Sequence, residues 1–243
     1  MQFQTYTLTH KGGRTINQDA CAFKVLPNEQ ACWVVADGLG GHGGGEVASA
    51  LAVDNIMATF EQLQSATADA LEPLLQSAQQ AILHEQDQSM ALKRMRTTLV
   101  LLLASNNQAQ WLHVGDSRLY CFRMGKLIEQ TKDHSVVQSL ADAGSISNAD
   151  IRHHEDRNRI LRSLGNEGDL RPTVRSESFT LASGDAFLMC TDGFWEYVHE
   201  IEMQADYAKA HTPEEWLMLM EERILERVDD ENDNYTAVGV FVI

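Results

Sequence analysis

Asp37 ends the apolar run Trp33-Val34-Val35-Ala36 and is followed at once by Gly38; Asp192 repeats the pattern at the end of Phe187-Leu188-Met189-Cys190-Thr191, followed by Gly193. Asp116 closes the run His113-Val114-Gly115, and Asp233 stands just before the last apolar run, in Asp233-Asn234-Tyr235-Thr236. Side chains at strand ends can converge on one rim of a sheet pair. Carboxylates gathered there repel one another unless hard divalent cations neutralise them. The chemistry on offer is therefore oxygen ligation of such cations and activation of water by them. Taken singly, each aspartate has a bland alternative as a turn residue, the common fate of Asp beside Gly. Four such coincidences in one chain favour a shared site.

The glycine-rich turn after Asp37 admits rival readings. Gly38-x-Gly40-x-x-Gly43 has the spacing of a dinucleotide-binding turn, but that fold requires a second parallel strand ending in an acid about 20 residues on. Here the helical pattern simply continues through Glu61. No Gly-Lys-Ser/Thr closes the turn as a phosphate loop would. His42, within it, reads as a residue that hydrogen-bonds backbone. The cysteines Cys21, Cys32, Cys121 and Cys190 lie far apart in apolar runs, with no Cys-x-x-Cys pair and no Cys-x5-Arg loop, and read as reduced core residues.

The elements that would position these aspartates are short β-branched and apolar segments: 3–8, 21–25, 32–36, 98–104, 110–114, 119–123, 186–190 and 236–242. Compact turns such as Ser105-Asn106-Asn107-Gln108 and Met124-Gly125-Lys126 suit antiparallel hairpins. Helical periodicity runs over 46–63 and 68–88. A third helix opens at Thr212-Pro213-Glu214-Glu215, with a capping hydroxyl and a proline at the first helical position, and runs through Val228. The stretch 135–165 has weak periodicity and reads as an irregular, mobile flap.

At 243 residues the chain suits one domain, 1–243, and its 35 acidic against 19 basic side chains give a net charge of −16. Such a surface repels phosphate backbones and anionic membranes, so neither nucleic acid nor membrane is expected as a partner. The N-terminus lacks a signal-peptide pattern and no apolar run is long enough to span a bilayer, which leads to the expectation of a cytoplasmic protein.

In this order, Arg14-Thr15-Ile16-Asn17-Gln18-Asp19, Asp37-Gly38-Leu39-Gly40-Gly41, Gly115-Asp116-Ser117-Arg118, Thr191-Asp192-Gly193 and Asp233-Asn234-Tyr235-Thr236 resemble the PP2C-type (PPM) metal-dependent protein phosphatases, above all their small bacterial members. Each piece is weakly specific, the ordered set highly so. The resemblance covers essentially the whole chain. It implies an α+β fold, a four-layer αββα sandwich of two antiparallel sheets packed face to face with helices on both outer faces. It implies hydrolysis of phosphoserine and phosphothreonine in proteins, in opposition to a bacterial eukaryotic-like Ser/Thr kinase, by a monomer carrying two Mn²⁺ or Mg²⁺ ions. Asp37 would bridge the two ions, Asp192 and Asp233 would complete the first, and the Gly38 carbonyl would help hold the second, with Asp19 acting on it through water. Asp116, with Asp192, would hold a third, weaker ion. Arg14 would bind the substrate phosphate. Two departures from the family pattern stand out: Gln18 replaces a glutamate of some members, so the second ion should keep more water, and Leu39 replaces the histidine of eukaryotic members. The alternatives are a catalytically silent phosphoprotein-binding module on the same fold, or a stress-response partner-switching phosphatase, whose usual sensor domains find no room in this length.

Overall fold

The computed structural model describes residues 1–40, 44–168, 170–228 and 231–243. Its strands are β1 (Phe3–His10), β2 (Asp19–Val25), β3 (Ala31–Leu39), β4 (Arg96–Thr97), β5 (Leu99–Ser105), β6 (Gln108–Val114), β7 (Arg118–Arg123), β8 (Lys126–Gln130), β9 (Thr173–Val174), β10 (Phe179–Thr180), β11 (Asp185–Cys190) and β12 (Tyr235–Val242). The helices are α1 (Gly44–Leu63), α2 (Ala68–Gln88), α3 (Val136–Asp142), α4 (Asp192–Trp195), α5 (Glu200–Tyr207) and α6 (Pro213–Arg227). One sheet has the order β1-β12-β11-β7-β8 and the other β10-β6-β5-β3-β2, with β4 added to β3 and β9 to β6. Every pairing is antiparallel.

Local chemistry explains the hairpins. Asn106 (φ 51°) and Asn107 (φ 61°) form the two-residue turn between β5 and β6, and Met124 (φ 52°) and Gly125 (φ 75°) form that between β7 and β8. Positive φ at both central residues is the turn whose twist matches paired strands, and Asn and Gly tolerate it best.

Alternation along each strand builds the layers. On β3, Trp33 and Val35 join Leu102, Trp111, Cys121, Phe187 and Val240 between the sheets. The intervening Cys32, Val34 and Ala36 face the other way, onto Ile56 and Phe60 of α1 and Leu74 and Ile82 of α2. On the opposite outer face, Tyr120, Phe122, Leu188 and Ala237 pack against Trp216, Leu217, Met220 and Ile224 of α6. The result is the four-layer sandwich, with apolar contacts across three interfaces. Each fully buried large side chain among them contributes about 1.5–3 kcal/mol.

The start of α6 is as the sequence indicates: Thr212 Oγ1 accepts from the Glu215 N–H at 3.1 Å and Pro213 occupies the first turn. The segment 135–165 differs from its expectation as an irregular flap. It contains α3, whose cap Ser135 accepts from the Gln138 N–H, and a 3₁₀ turn over Asn148–His153. Specific contacts pin it: a bridge from Ser135 to Ile160, Arg152 Nη2 to Glu200 at 2.6 Å, and Arg157 Nε to Glu196 at 2.9 Å.

Beneath that segment lies a buried ion pair. Arg118 donates from Nε and Nη2 to the two oxygens of Asp133, both at 2.8 Å, and its guanidinium stacks 3.4 Å over the Trp195 ring. Removing one partner leaves the other charge buried and alone. Asp133→Ala is therefore expected to lower unfolding free energy by about 3–5 kcal/mol, measured by urea denaturation; a loss under about 1 kcal/mol would show that the pair behaves like a surface one.

Candidate active site

Asp37 lies near the C-terminal end of β3, directly across the antiparallel register from Asp19 at the start of β2. Asp116 follows β6, Asp192 follows β11 and opens α4, and Asp233 precedes β12. Both sheets thus deliver aspartates to the same end of the sandwich. There they meet in a cleft of about 600 Å³ whose walls include Arg14, Asp37, Gly38, Asp116, Asp192 and Asp233. Asp19 does not line this cleft; it lies behind it, its Oδ2 accepting from Thr191 Oγ1 at 2.9 Å and its carboxylate also hydrogen-bonded by Thr236. His42, Gly41 and Gly43 fall outside the described residues.

The glycines beside the aspartates serve close approach rather than left-handed backbone. A Cβ on Gly38 would stand 2.1 Å from the Gly45 carbonyl oxygen, and one on Gly193 would stand 2.0 Å from that of Asn234. Any side chain would push apart the turns that carry Asp37, Asp192 and Asp233.

Neighbouring side chains fix the aspartates. The Asp37 N–H donates to Thr98 Oγ1 at 2.9 Å, Thr97 Oγ1 donates to the Asp37 carbonyl at 2.9 Å, and Thr98 Oγ1 lies 2.7 Å from Ser117 Oγ. Asn234 is a hub: its N–H donates to Asp233 Oδ1, its Nδ2 donates to the Lys11 and Ile16 carbonyls, and its Oδ1 accepts from the Gln18 N–H. The loop bearing Arg14 is thereby tied to Asp233. Arg14 forms a two-pronged contact with Asp233, Nε to Oδ1 and Nη2 to Oδ2 at 3.1 Å each. Gln18 spends its side chain on the Gly40 carbonyl at 3.4 Å, and Leu39 lines the cleft where eukaryotic members of the resembled family have histidine. Thr98, Thr191 and Asn234 are functional candidates to which the sequence motifs give no role, although Thr191 adjoins Asp192 and Asn234 adjoins Asp233.

Burial and mutual repulsion dominate the electrostatics. Burial pushes Asp19 up to about 7. Asp192 rises to about 6, through burial first and the nearby Asp233 charge second. Asp37 and Asp116 are raised well above the usual carboxylate range, again by burial and then by Asp192. Asp37 and Asp192 are close enough to share a hydrogen bond. Asp116 Oδ1 is buried without a hydrogen-bond partner among the described residues.

These residues fit hard divalent cations. The donors are all oxygen, they repel one another as anions, and one buried carboxylate oxygen lacks a partner among the described residues. With Arg14 drawn onto Asp233 and Asp19 onto Thr191, no three acidic, histidine or cysteine side chains among the described residues close around a single point.

The raised values determine how stability depends on pH. Asp19 and Asp192 sit at about 7 and about 6 when folded against 3.8 ordinarily, so the folded state holds protons that the unfolded chain releases. The stability they contribute is full below about pH 4 and is lost as pH rises through about 6 to 7. In chelator, the thermal midpoint should fall from about pH 5.5 to about pH 8, Asp37→Asn should flatten that fall, and Mn²⁺ at the higher pH should reverse it. A midpoint that rises or stays level over this range would contradict the electrostatic picture.

Comparison with known proteins agrees with this fold. The family described as protein phosphatase 2C matches residues 8–227. A serine/threonine phosphatase, stp, of Listeria monocytogenes is 35% identical over 184 residues, 73% of this chain and 71% of that protein. Protein phosphatase PhpP of Streptococcus pneumoniae is 31% identical over 195 residues, 79% of this chain and 78% of that one. Among solved structures, the catalytic domain of the serine/threonine phosphatase PstP in complex with two manganese ions superimposes with a TM-score of 0.83 at 27% identity, covering 99% of this chain and 98% of that one. A two-sheet sandwich with carboxylates gathered at one end, matched by the family pattern over most of its length, establishes that the chain belongs to the protein phosphatase 2C family of phosphate-monoester hydrolases.

Proposed function

We propose that this chain removes phosphate from phosphoserine and phosphothreonine in proteins, using two Mn²⁺ or Mg²⁺ ions held by Asp37, Asp192, Asp233 and the Gly38 carbonyl. The observation that carries this reading is the cleft itself: buried, mutually repelling aspartates share it with the exposed guanidinium of Arg14. The name of the Listeria monocytogenes relative and the manganese complex of PstP support it. When bound, the ions would neutralise phosphoryl oxygens and bring a water's proton loss near neutral pH.

The protein's own groups do the rest. Arg14 is already poised as a two-pronged donor at the cleft mouth, 56% exposed, and can exchange Asp233 for phosphate oxygens of the same planar geometry. That exchange would also free Asp233 oxygens for ligation. Asp19, held by Thr191 and Thr236, would act on the second ion from behind. Asp116, with its unpartnered Oδ1, is suited to a third, weaker ion beside Asp192. In-line attack by water needs no covalent enzyme intermediate. None of the cysteines lines the cleft, and burial pushes Cys21 up to about 11 and the other three higher still, away from thiolate chemistry. Leu39 offers no proton, so solvent would protonate the departing alkoxide. Physiologically, the chain would oppose Ser/Thr kinases.

Asp192→Asn should lower kcat on a phosphothreonine peptide by at least about a hundredfold while preserving the circular dichroism spectrum. Near-normal turnover would refute its ligand role. Arg14→Ala should act mainly on KM, raising it about ten- to a hundredfold through lost charged hydrogen bonds; an unchanged KM would remove Arg14 from phosphate binding.

A further inference from the structure

The distribution of arginines is uneven. Arg14, Arg118, Arg123, Arg152, Arg157, Arg175, Arg223 and Arg227 all pair with carboxylates. In a chain with 35 acidic side chains that is unsurprising. Yet Arg94, Arg96, Arg162 and Arg171 form no ion pair among the described residues, and Arg159, 67% exposed, has only its near neighbour Asp156. Arg94, Arg162 and Arg171 are exposed as well.

Arg94, Arg96 and Arg159 belong to segments next to cleft-lining residues, and Arg162 and Arg171 line a neighbouring groove. Asn158 and Ile160 line the cleft; Arg159, between them in sequence, is 67% exposed and is not among the lining residues. The chain is extended there, paired on both sides of Ile160 through Val136 N–H to the Arg159 carbonyl and Leu161 N–H to the His134 carbonyl. Across from this segment, Arg96 is registered opposite the cleft residue Leu39, and the Arg94 carbonyl lies 3.5 Å from where a Gly40 Cβ would be. The two walls are joined: Leu164 exchanges backbone hydrogen bonds with Thr97, and Arg96 Nε donates to Asn166 Oδ1 at 2.8 Å. Arg162 Nη1 donates to the Arg171 carbonyl at 3.1 Å, and both arginines, with the exposed Leu161, line a groove of about 550 Å³ that begins one residue beyond the cleft residue Ile160. Arg96 also spends Nη1 on the Lys93 and Met95 carbonyls, so the guanidiniums that line the groove are those of the exposed Arg162 and Arg171. Glu167 alone among the described carboxylates of the groove stands near Arg96.

From this groove beside the cleft we infer that the enzyme selects phosphoprotein segments rich in Asp and Glu on the side of the phosphorylated residue that lies along Arg162 and Arg171. The inference rests on the phosphatase reading of the cleft and adds the substrate class to it. Guanidinium forks match carboxylates, and a local cationic edge on a molecule of charge −16 gives an acidic segment one favourable line of approach. The same overall charge disfavours long polyanions such as nucleic acid, which would extend beyond the groove.

The test uses phosphothreonine peptides with acidic, neutral or basic flanks, assayed by turnover and by fluorescence anisotropy, alongside an aryl phosphate that has no flanks. Wild type should prefer the acidic over the neutral peptide by about tenfold in KM and in Kd. That preference should shrink in high salt. Arg162→Gln with Arg171→Gln should reduce it, and the double reversal R162E/R171E should abolish it, with turnover of the aryl phosphate unchanged in both. Binding of the acidic peptide without hydrolysis would sink the hydrolase reading but uphold the groove. Equal handling of acidic and neutral peptides by wild type, a preference that survives R162E/R171E, or binding of a single-stranded oligonucleotide as tight as that of the acidic peptide would overturn it.

Discussion

The structure is organised around repulsion between buried carboxylates. Two like charges about 4 Å apart in a protein-like medium cost on the order of 4 kcal/mol, and here Asp37 and Asp192 are within hydrogen-bonding distance while Asp19, Asp116 and Asp233 stand close by. A fold of ordinary stability cannot accumulate several such terms without relief. Protons supply it in part, as the raised values show; Arg14 supplies more by clamping Asp233. Divalent cations would supply it fully and would turn the strain to catalytic use.

Much of the surrounding architecture holds that cluster together against its own repulsion. Antiparallel pairing of β2 with β3 fixes Asp19 opposite Asp37, and the pairing of β11 with β12 brings the turns of Asp192 and Asp233 side by side. Thr98, Thr191 and Asn234 spend their hydrogen bonds on the backbone and carboxylates of the site. The Trp195 indole donates to the Asp116 carbonyl at 2.9 Å while its ring carries Arg118, so the buried Arg118–Asp133 pair supports the site from below. Arg152, from the segment 135–165, reaches the same aromatic ring and Glu200. Packing of that segment is thus mechanically linked to the carboxylate cluster.

How much of this the sequence discloses depends on how local each cause is. The Asn106-Asn107 turn and the Thr212 cap are decided by neighbours in the chain, and both are legible. So are the main strands and the two long helices, because alternation and the helical period are local signals. Of the aspartates in the ordered motifs, Asp37, Asp116, Asp192 and Asp233 line the cleft and Asp19 does not. Short elements escape: β4, β9 and β10 are two residues each, and they exist because longer strands offer them an edge. The helix α5 escapes because its polar stretch is stabilised by distant partners, Arg223 to Asp206 and Trp216 to the Met203 carbonyl. The purpose of Gly38 and Gly193 is equally hidden. A tight turn explains a glycine beside an aspartate, but here the reason is the backbone of another segment lying where a Cβ would stand.

Relief of the carboxylate cluster by cations is best tested by growing crystals in Mn²⁺ and collecting diffraction at the manganese absorption edge. Two anomalous peaks bridged by the Asp37 carboxylate, with Asp192 and Asp233 turned toward one of them and the Gly38 carbonyl toward the other, are the expected result. Absence of anomalous density among these side chains, with Arg14 still clamped to Asp233, would contradict the central claim.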